Sequence, residues 1–113
     1  MKNLMASINL FIEKRGWSQF HSPKNLSMAL GIEVAEMQEH FQWLTQDESK
    51  NLSDEKLQYV KEEIGDVFIY LIRICQVLGI DPIKAANEKM ILNEQKYPVE
   101  KSKGNMKKYT ELQ

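Results

Sequence analysis

The sequence predicts an all-α protein, a four-helix bundle completed by a partner subunit. Three observations predict it. Apolar residues recur at steps of three and four through most of the chain, the period of a helix face. Start signals of the cap-then-helix kind recur at Ser22-Pro23, Ser53-Asp54 and Asp81-Pro82, with glycine stops at Gly16 and Gly79. No convincing strand breaks this pattern: Val67 to Ile72 is apolar enough for one, but it lies inside a long capped helical stretch.

The first helix is expected over residues 3–15, where Leu4, Met5, Ile8, Phe11 and Ile12 make one stripe and Gly16 ends it. Trp17 to Ser22 is a connector carrying two aromatics and a histidine. Ser22 caps a second helix with Pro23 at its first position, running to about Trp43. Gly31 in its interior is costly for a helix and leaves room for close approach of a ligand or a neighbouring helix. Thr45 to Leu52 is polar and reads as an exposed loop. A third helix of about 25 residues runs from the Ser53 cap to Leu78. Its second half is apolar all round, so every side needs cover, and in so short a chain a second subunit supplies it. The fourth helix runs from Asp81-Pro82 to about Lys96 and stops before Pro98. Residues 1–98 form the expected domain, and residues 99–113, rich in lysine, a flexible basic tail.

Composition narrows the function. With 113 residues, 42% hydrophobic and 27% charged, the chain is an ordinary one-domain globular protein. A net charge of −1 gives no basic field for nucleic acid. The single cysteine, Cys75, excludes an internal disulfide and a thiolate metal cluster, and it sits in an apolar run as a small core residue. No stretch approaches the roughly 18 apolar residues of a membrane span. Glu13, Lys14 and Arg15 interrupt any secretory pattern at the start, so a reducing cytoplasm is the expected compartment.

The candidate chemistry lies in two acidic pairs, Glu33-x-x-Glu36 and Glu63-x-x-Asp66. Each puts two carboxylates on one face, a turn apart. Glu33 interrupts the stripe Leu26, Leu30, Met37, Phe41, Leu44, and Glu63 interrupts Tyr59, Val60, Val67, Tyr70, Leu71. Buried carboxylates without a partner are very costly, so a cation belongs between them. An all-oxygen donor set suits Mg²⁺, with Mn²⁺ as a substitute, and Mg²⁺ is usually completed by substrate phosphates. More than one ion would polarise a phosphoryl group and lower the pKa of an attacking water. A helical di-iron centre needs Glu-x-x-His, and neither His21 nor His40 stands three after a glutamate. Lys89, Asn93 and Lys96 share a face that suits phosphates or solvent equally. Trp17, Phe20 and Trp43 suit either a base-stacking wall or a core.

The ordered set of these motifs resembles the MazG-like, all-α nucleoside triphosphate pyrophosphohydrolases, above all their short dCTP pyrophosphatase branch. The resemblance rests on Trp17-Ser-Gln-Phe20-His21-Ser-Pro23-Lys-Asn-Leu26, Gly31-Ile-Glu33-Val-Ala-Glu36, Phe41-Gln-Trp43, Glu62-Glu63-Ile-Gly-Asp66-Val-Phe-Ile-Tyr70-Leu71, Lys89-Met90, Asn93, Lys96-Tyr-Pro98 and Lys108-Tyr-Thr-Glu-Leu112. It implies hydrolysis of a nucleoside triphosphate, first dCTP or a related dNTP, to monophosphate and pyrophosphate. It implies Mg²⁺ on Glu33, Glu36, Glu63 and Asp66, with Glu36 and Glu63 as candidates to activate water. It implies Trp17, Trp43 and Tyr70 around base and sugar, Lys89, Asn93, Lys96 and Lys108 on the phosphates, and assembly as a dimer or a dimer of dimers with sites shared between subunits. One departure matters: a histidine on the branch's first helix corresponds here to Ile8, which weakens a strict dCTP preference. The alternatives are a dUTP or modified-nucleotide pyrophosphatase on the same scaffold, and a non-catalytic helical module with a structural ion.

Overall fold

The computed structural model describes residues 1–104 and is all-helical over them. The helices are α1 (Lys2–Lys14), α2 (Pro23–Glu39), α3 (Gln46–Lys50), α4 (Asp54–Leu78), α5 (Pro82–Lys96) and α6 (Val99–Ser102), with a 3-10 turn at Trp17–Phe20. The expected caps are in place. Ser22 Oγ accepts the Asn25 N–H at 3.1 Å, and Ser53 Oγ accepts the Lys56 N–H at 3.2 Å. Asp81 Oδ1 accepts from Ile83 and Lys84. Each such cap is worth about 1 kcal/mol. Gly16 and Gly79 take the left-handed conformation, φ 63° and 70°, that ends a helix with little strain only for glycine.

Two expectations about boundaries change. Residues 45–52 are not simply a loop: Thr45 and Glu48 form a reciprocal capping box that winds Gln46–Lys50 into α3. Thr45 Oγ1 accepts the Glu48 N–H, and Glu48 Oε1 accepts the Thr45 N–H at 2.8 Å. The second helix ends at Glu39, earlier than expected. Beyond it the chain tightens into turns, with Phe41 N–H bonded to the Gln38 carbonyl and Leu44 N–H to that of Phe41. Phe41 and Leu44 therefore stay half-buried, while Trp43 is turned out and is 86% exposed. Val99–Ser102 is a short helix in what was expected to be tail; Lys107 and Lys108 lie outside the described residues.

The chain divides into two compact units, Met1–Gly79 and a second that begins at Ile80. In the first, α2 packs along α4, and α1 rests on α4 and on the 3-10 turn. Ile8 and Ile12 of α1 close on Ile72 of α4, with Met5 against them. Leu26 and Val60 are buried where α2 and α4 begin. A polar anchor ties α1 and the connector to α4. Arg73 Nε donates to His21 Nδ1 at 3.1 Å, and Arg73 Nη1 donates to Asn9 Oδ1 and Gln76 Oε1 at 3.0 and 3.2 Å. Gln76 Nε2 in turn donates to the Met5 carbonyl at 2.9 Å. The second unit carries α5, on which Lys89, Asn93 and Lys96 recur at four and three.

The apolar core is thin: six hydrophobic residues are buried among the described ones. The half-buried face of α4 runs Val60, Glu63, Val67, Tyr70, Ile74 at helical spacing. Tyr59 and Leu71, expected on that face, are instead 46% and 41% exposed. A second apolar stripe, Ile64, Phe68, Leu71 and Leu78, stays exposed about 90° round the same helix. Among the described residues no helix is long and apolar enough to cross a membrane.

No helix among the described residues approaches Gly31 closely. A Cβ built there meets no atom within 4 Å, so among the described residues no neighbour needs the gap. Gly31→Ala is therefore expected to stabilise the protein by about 0.5–1 kcal/mol, seen as a Tm rise of a few degrees in a thermal melt. A lower Tm would show that Gly31 faces something beyond this chain.

Candidate metal centre

The pairing of α2 with α4 carries the site, because each helix presents its acids on the flank that meets the other. Glu33 and Glu36 come from α2 and Glu63 from α4. One carboxylate oxygen from each lies within 4.8 Å of the others, and all three side chains are half-buried. Asp66 lies one turn beyond Glu63 and is exposed, outside this group of three. It still acts on Glu33 through its charge.

Two atoms show what the cluster lacks. Glu33 Oε2 and Glu63 Oε2 are buried and have no hydrogen-bond partner. A buried acceptor left unpaired costs about 1–3 kcal/mol, more when charged. The protein responds by holding a proton. Burial, the neighbouring Glu63 carboxyl and the charges of Glu36 and Asp66 raise the Glu33 pKa to about 7. That proton belongs to the coupled pair rather than to one residue. The donor set fits a divalent cation: it consists of hard carboxylate oxygens on two rigid helices, within reach of one point, two of them lacking any protein donor.

Beside the acids, between α1, the 3-10 turn and α4, lies a cavity of about 420 Å³. Trp17, His21, Phe11, Ile69, Tyr70 and Asp66 line it, so Asp66 joins cavity to acidic pair. Trp17 is held edge-on by Phe11, ring centres 5.6 Å apart, and the Arg15 guanidinium sits 3.6 Å from the centre of the Phe11 ring. A shallower depression of about 510 Å³ beside α3 is lined by Asp47, Glu48, Ser53 and neighbours, residues largely engaged in helix ends.

The structure thus brings Glu33, Glu36 and Glu63 together and sets Trp17, Tyr70 and Asp66 around one cavity. Trp43 does not line it. Lys89, Asn93 and Lys96 share a face of α5 in the second unit, and Lys108 lies outside the described residues. Phe20 is 60% exposed, away from the cavity. The residue that sequence reasoning passed over is His21. Only its place in a connector beside Trp17 pointed to it, since its tie to Arg73 spans 52 residues.

Known proteins are similar to this chain in sequence and in fold. A sequence model of the MazG-like family matches residues 28–112. Proteins named dCTP pyrophosphatase 1 from Rattus norvegicus and Homo sapiens are 39% and 38% identical over 104 residues, 90% of this chain. The chain spans only 61% of the length of these curated relatives. The solved structure of a pyrophosphatase from Archaeoglobus fulgidus has a TM-score of 0.83 and 44% identity, over 87% of this chain and 92% of that one.

The raised pKa has a consequence for stability. The folded value of about 7 exceeds the ordinary 4.5, so the folded state holds a proton that the unfolded chain releases. That contribution is complete below the unfolded value and is lost as pH rises through the folded one. Chelator-treated protein is expected to melt at a lower temperature near pH ~8 than near pH ~6 on this account, and added Mg²⁺ or Mn²⁺ to flatten the trend by displacing the proton. Parallel pH trends with and without cation in thermal melts would contradict the site.

Proposed function

This chain belongs to the MazG-like family, and we propose that it is a divalent-metal-dependent pyrophosphohydrolase that cleaves a deoxynucleoside triphosphate, dCTP first, to the monophosphate and pyrophosphate. The observation that carries this reading is the pair of buried, partnerless oxygens, Glu33 Oε2 and Glu63 Oε2, supplied by two helices beside an aromatic cavity. The dCTP pyrophosphatases and the archaeal pyrophosphatase to which the chain is similar support the same reading.

Glu33, Glu36 and Glu63, with Asp66 at the cavity edge, would hold Mg²⁺, with Mn²⁺ able to replace it. When bound, the cation supplies charge neutralisation at the phosphates and a lower pKa for an attacking water. The chain's own groups do the rest. Glu36 and Glu63 are assigned to take the proton of that water. The bond broken joins the α- and β-phosphates, and pyrophosphate leaves. Trp17 and Tyr70 hold the base and sugar in the cavity and keep water from them. Lys89, Asn93, Lys96 and Lys108 are assigned to the phosphates, where cationic and amide donors match phosphate oxygens.

A thin core and an exposed Ile64, Phe68, Leu71, Leu78 stripe support a homodimer or dimer of dimers. Trp43, bare on the surface, then serves a site on a neighbouring subunit. Nothing in the balance of charge calls for nucleic acid as a partner. The rival reading, a non-catalytic module with a structural ion, leaves the cavity beside the acids without a purpose. A dUTP or modified-nucleotide pyrophosphatase would share all the chemistry and differ only in the base.

Incubation with dCTP and Mg²⁺ is expected to release pyrophosphate, and Glu63→Gln to lower turnover at least ~100-fold while leaving a folded protein. Orthophosphate as the first product, or no turnover across the common triphosphates, would refute the hydrolase reading. Sedimentation at micromolar concentration is expected to show an oligomer; a compact monomer would remove the subunit-cover argument.

A further inference from the structure

Two rings are stacked across the α2–α4 contact. His40, at the end of α2, lies against Tyr59 of α4 with ring centres 5.9 Å apart and planes 8° from parallel. Tyr59 Oη donates to Glu55 Oε1 at 3.3 Å. Neither ring nitrogen of His40 makes a hydrogen bond among the described residues, so the ring contact is what holds this side chain. Burial does not account for the pair: His40 is half-buried and Tyr59 is 46% exposed.

The position of the pair gives it a use. Glu33 of α2 meets Glu63 of α4, while His40, further along α2, meets Tyr59, earlier along α4. The two helices therefore run in opposite directions. His40 follows Glu36 by four residues and Tyr59 precedes Glu63 by four, each about 6 Å along its helix and on the same face. The rings form the next layer of the contact after the acids, on the side away from Asp66 and the cavity. His40 is outside the group of three carboxylates. Glu36 stands in the last turn of α2, which ends at Glu39. No further helical turn steadies that end, and repulsion among Glu33, Glu36 and Glu63 acts to part it from α4. A stacked pair one turn beyond the acids opposes the parting.

We propose that His40 and Tyr59 are positioning residues for the metal centre: their stacked rings hold the end of α2 against α4 and set the reach between Glu36 and Glu63. The rings bear the repulsion of the empty cluster. An arriving divalent cation then meets donors already gathered and does not have to draw two helices together. The aromatic faces do this, and the imidazole nitrogens take no part. The inference rests on the metal-centre reading.

The test is Mn²⁺ binding to the chelator-treated full chain, followed by the loss of the free Mn²⁺ signal in electron paramagnetic resonance. His40→Gln keeps hydrogen-bonding groups and removes the ring; it is expected to raise the Kd for Mn²⁺ roughly three- to tenfold. His40→Phe and Tyr59→Phe keep the rings, and each is expected to stay within about twofold of the parent. In a cycle of His40→Ala and Tyr59→Ala, the double variant is expected to lose no more affinity than the weaker-binding single one. Loss of affinity in His40→Phe with retention in His40→Gln would show that a ring nitrogen is used, and overturns the inference. Additive losses in the alanine cycle do the same, as does a lowered Tm with unchanged Kd, the mark of a purely structural contact. The Phe and Gln variants open no large cavity, so their comparison stands even where an alanine variant unfolds. Tight binding by the parent with equal Kd in every variant sinks this inference alone. A parent chain that binds no Mn²⁺ sinks the metal-centre reading and the inference with it.

Discussion

Mutual repulsion among carboxylates trapped between α2 and α4 is the constraint around which the first unit is built. Glu33, Glu36 and Glu63 approach within 4.8 Å, and two of their oxygens find no donor. Nothing in helix packing rewards that arrangement. The apolar residues on either side, Leu26 and Val60 above all, supply the burial that holds the acids in place. Each fully buried side chain of that kind is worth about 1.5–3 kcal/mol, comparable to the cost of one unpaired acceptor. The site is strained where it is charged and stabilised where it is apolar, and a bound cation relieves the strain.

The other end of the first unit solves a different problem. Trp17 sits on a short turn, which has few backbone bonds of its own. On one side it is steadied by Phe11, whose ring the Arg15 guanidinium covers in turn. On the other, His21 is bonded to Arg73, and Arg73 to Asn9 and Gln76. A connector is thereby fastened to two helices by side chains alone. The cavity wall gains rigidity at a place where backbone hydrogen bonding could not provide it. The cost is a buried cation on neutral partners, which a core of purely apolar residues would have avoided.

Most of the helical scaffold was legible in the sequence because its causes are local. Ser22 with Pro23, Ser53 with its acidic first turn, and Asp81 with Pro82 each act within four residues, and each cap is found where the pattern put it. The capping box at Thr45 and Glu48 was equally local and was overshadowed by the polarity of the segment around it. The acidic pairs were legible because Glu33 and Glu63 break apolar stripes. Asp66 stands from Glu63 as Glu36 does from Glu33, and the structure leaves it exposed at the cavity rim, outside the group of three.

Local hydrogen bonding and apolar period thus let the sequence alone determine where the long helices start, where the Gly16 and Gly79 stops fall, and that Glu33 and Glu63 turn inward. The tertiary structure alone decided which carboxylates converge on one point, that Trp43 stands in solvent, and that Arg73 holds His21 across 52 residues. The physical reason is that a helix's rotation about its own axis is set by the side chains it packs against. Residues distant in the chain meet only once that rotation is chosen.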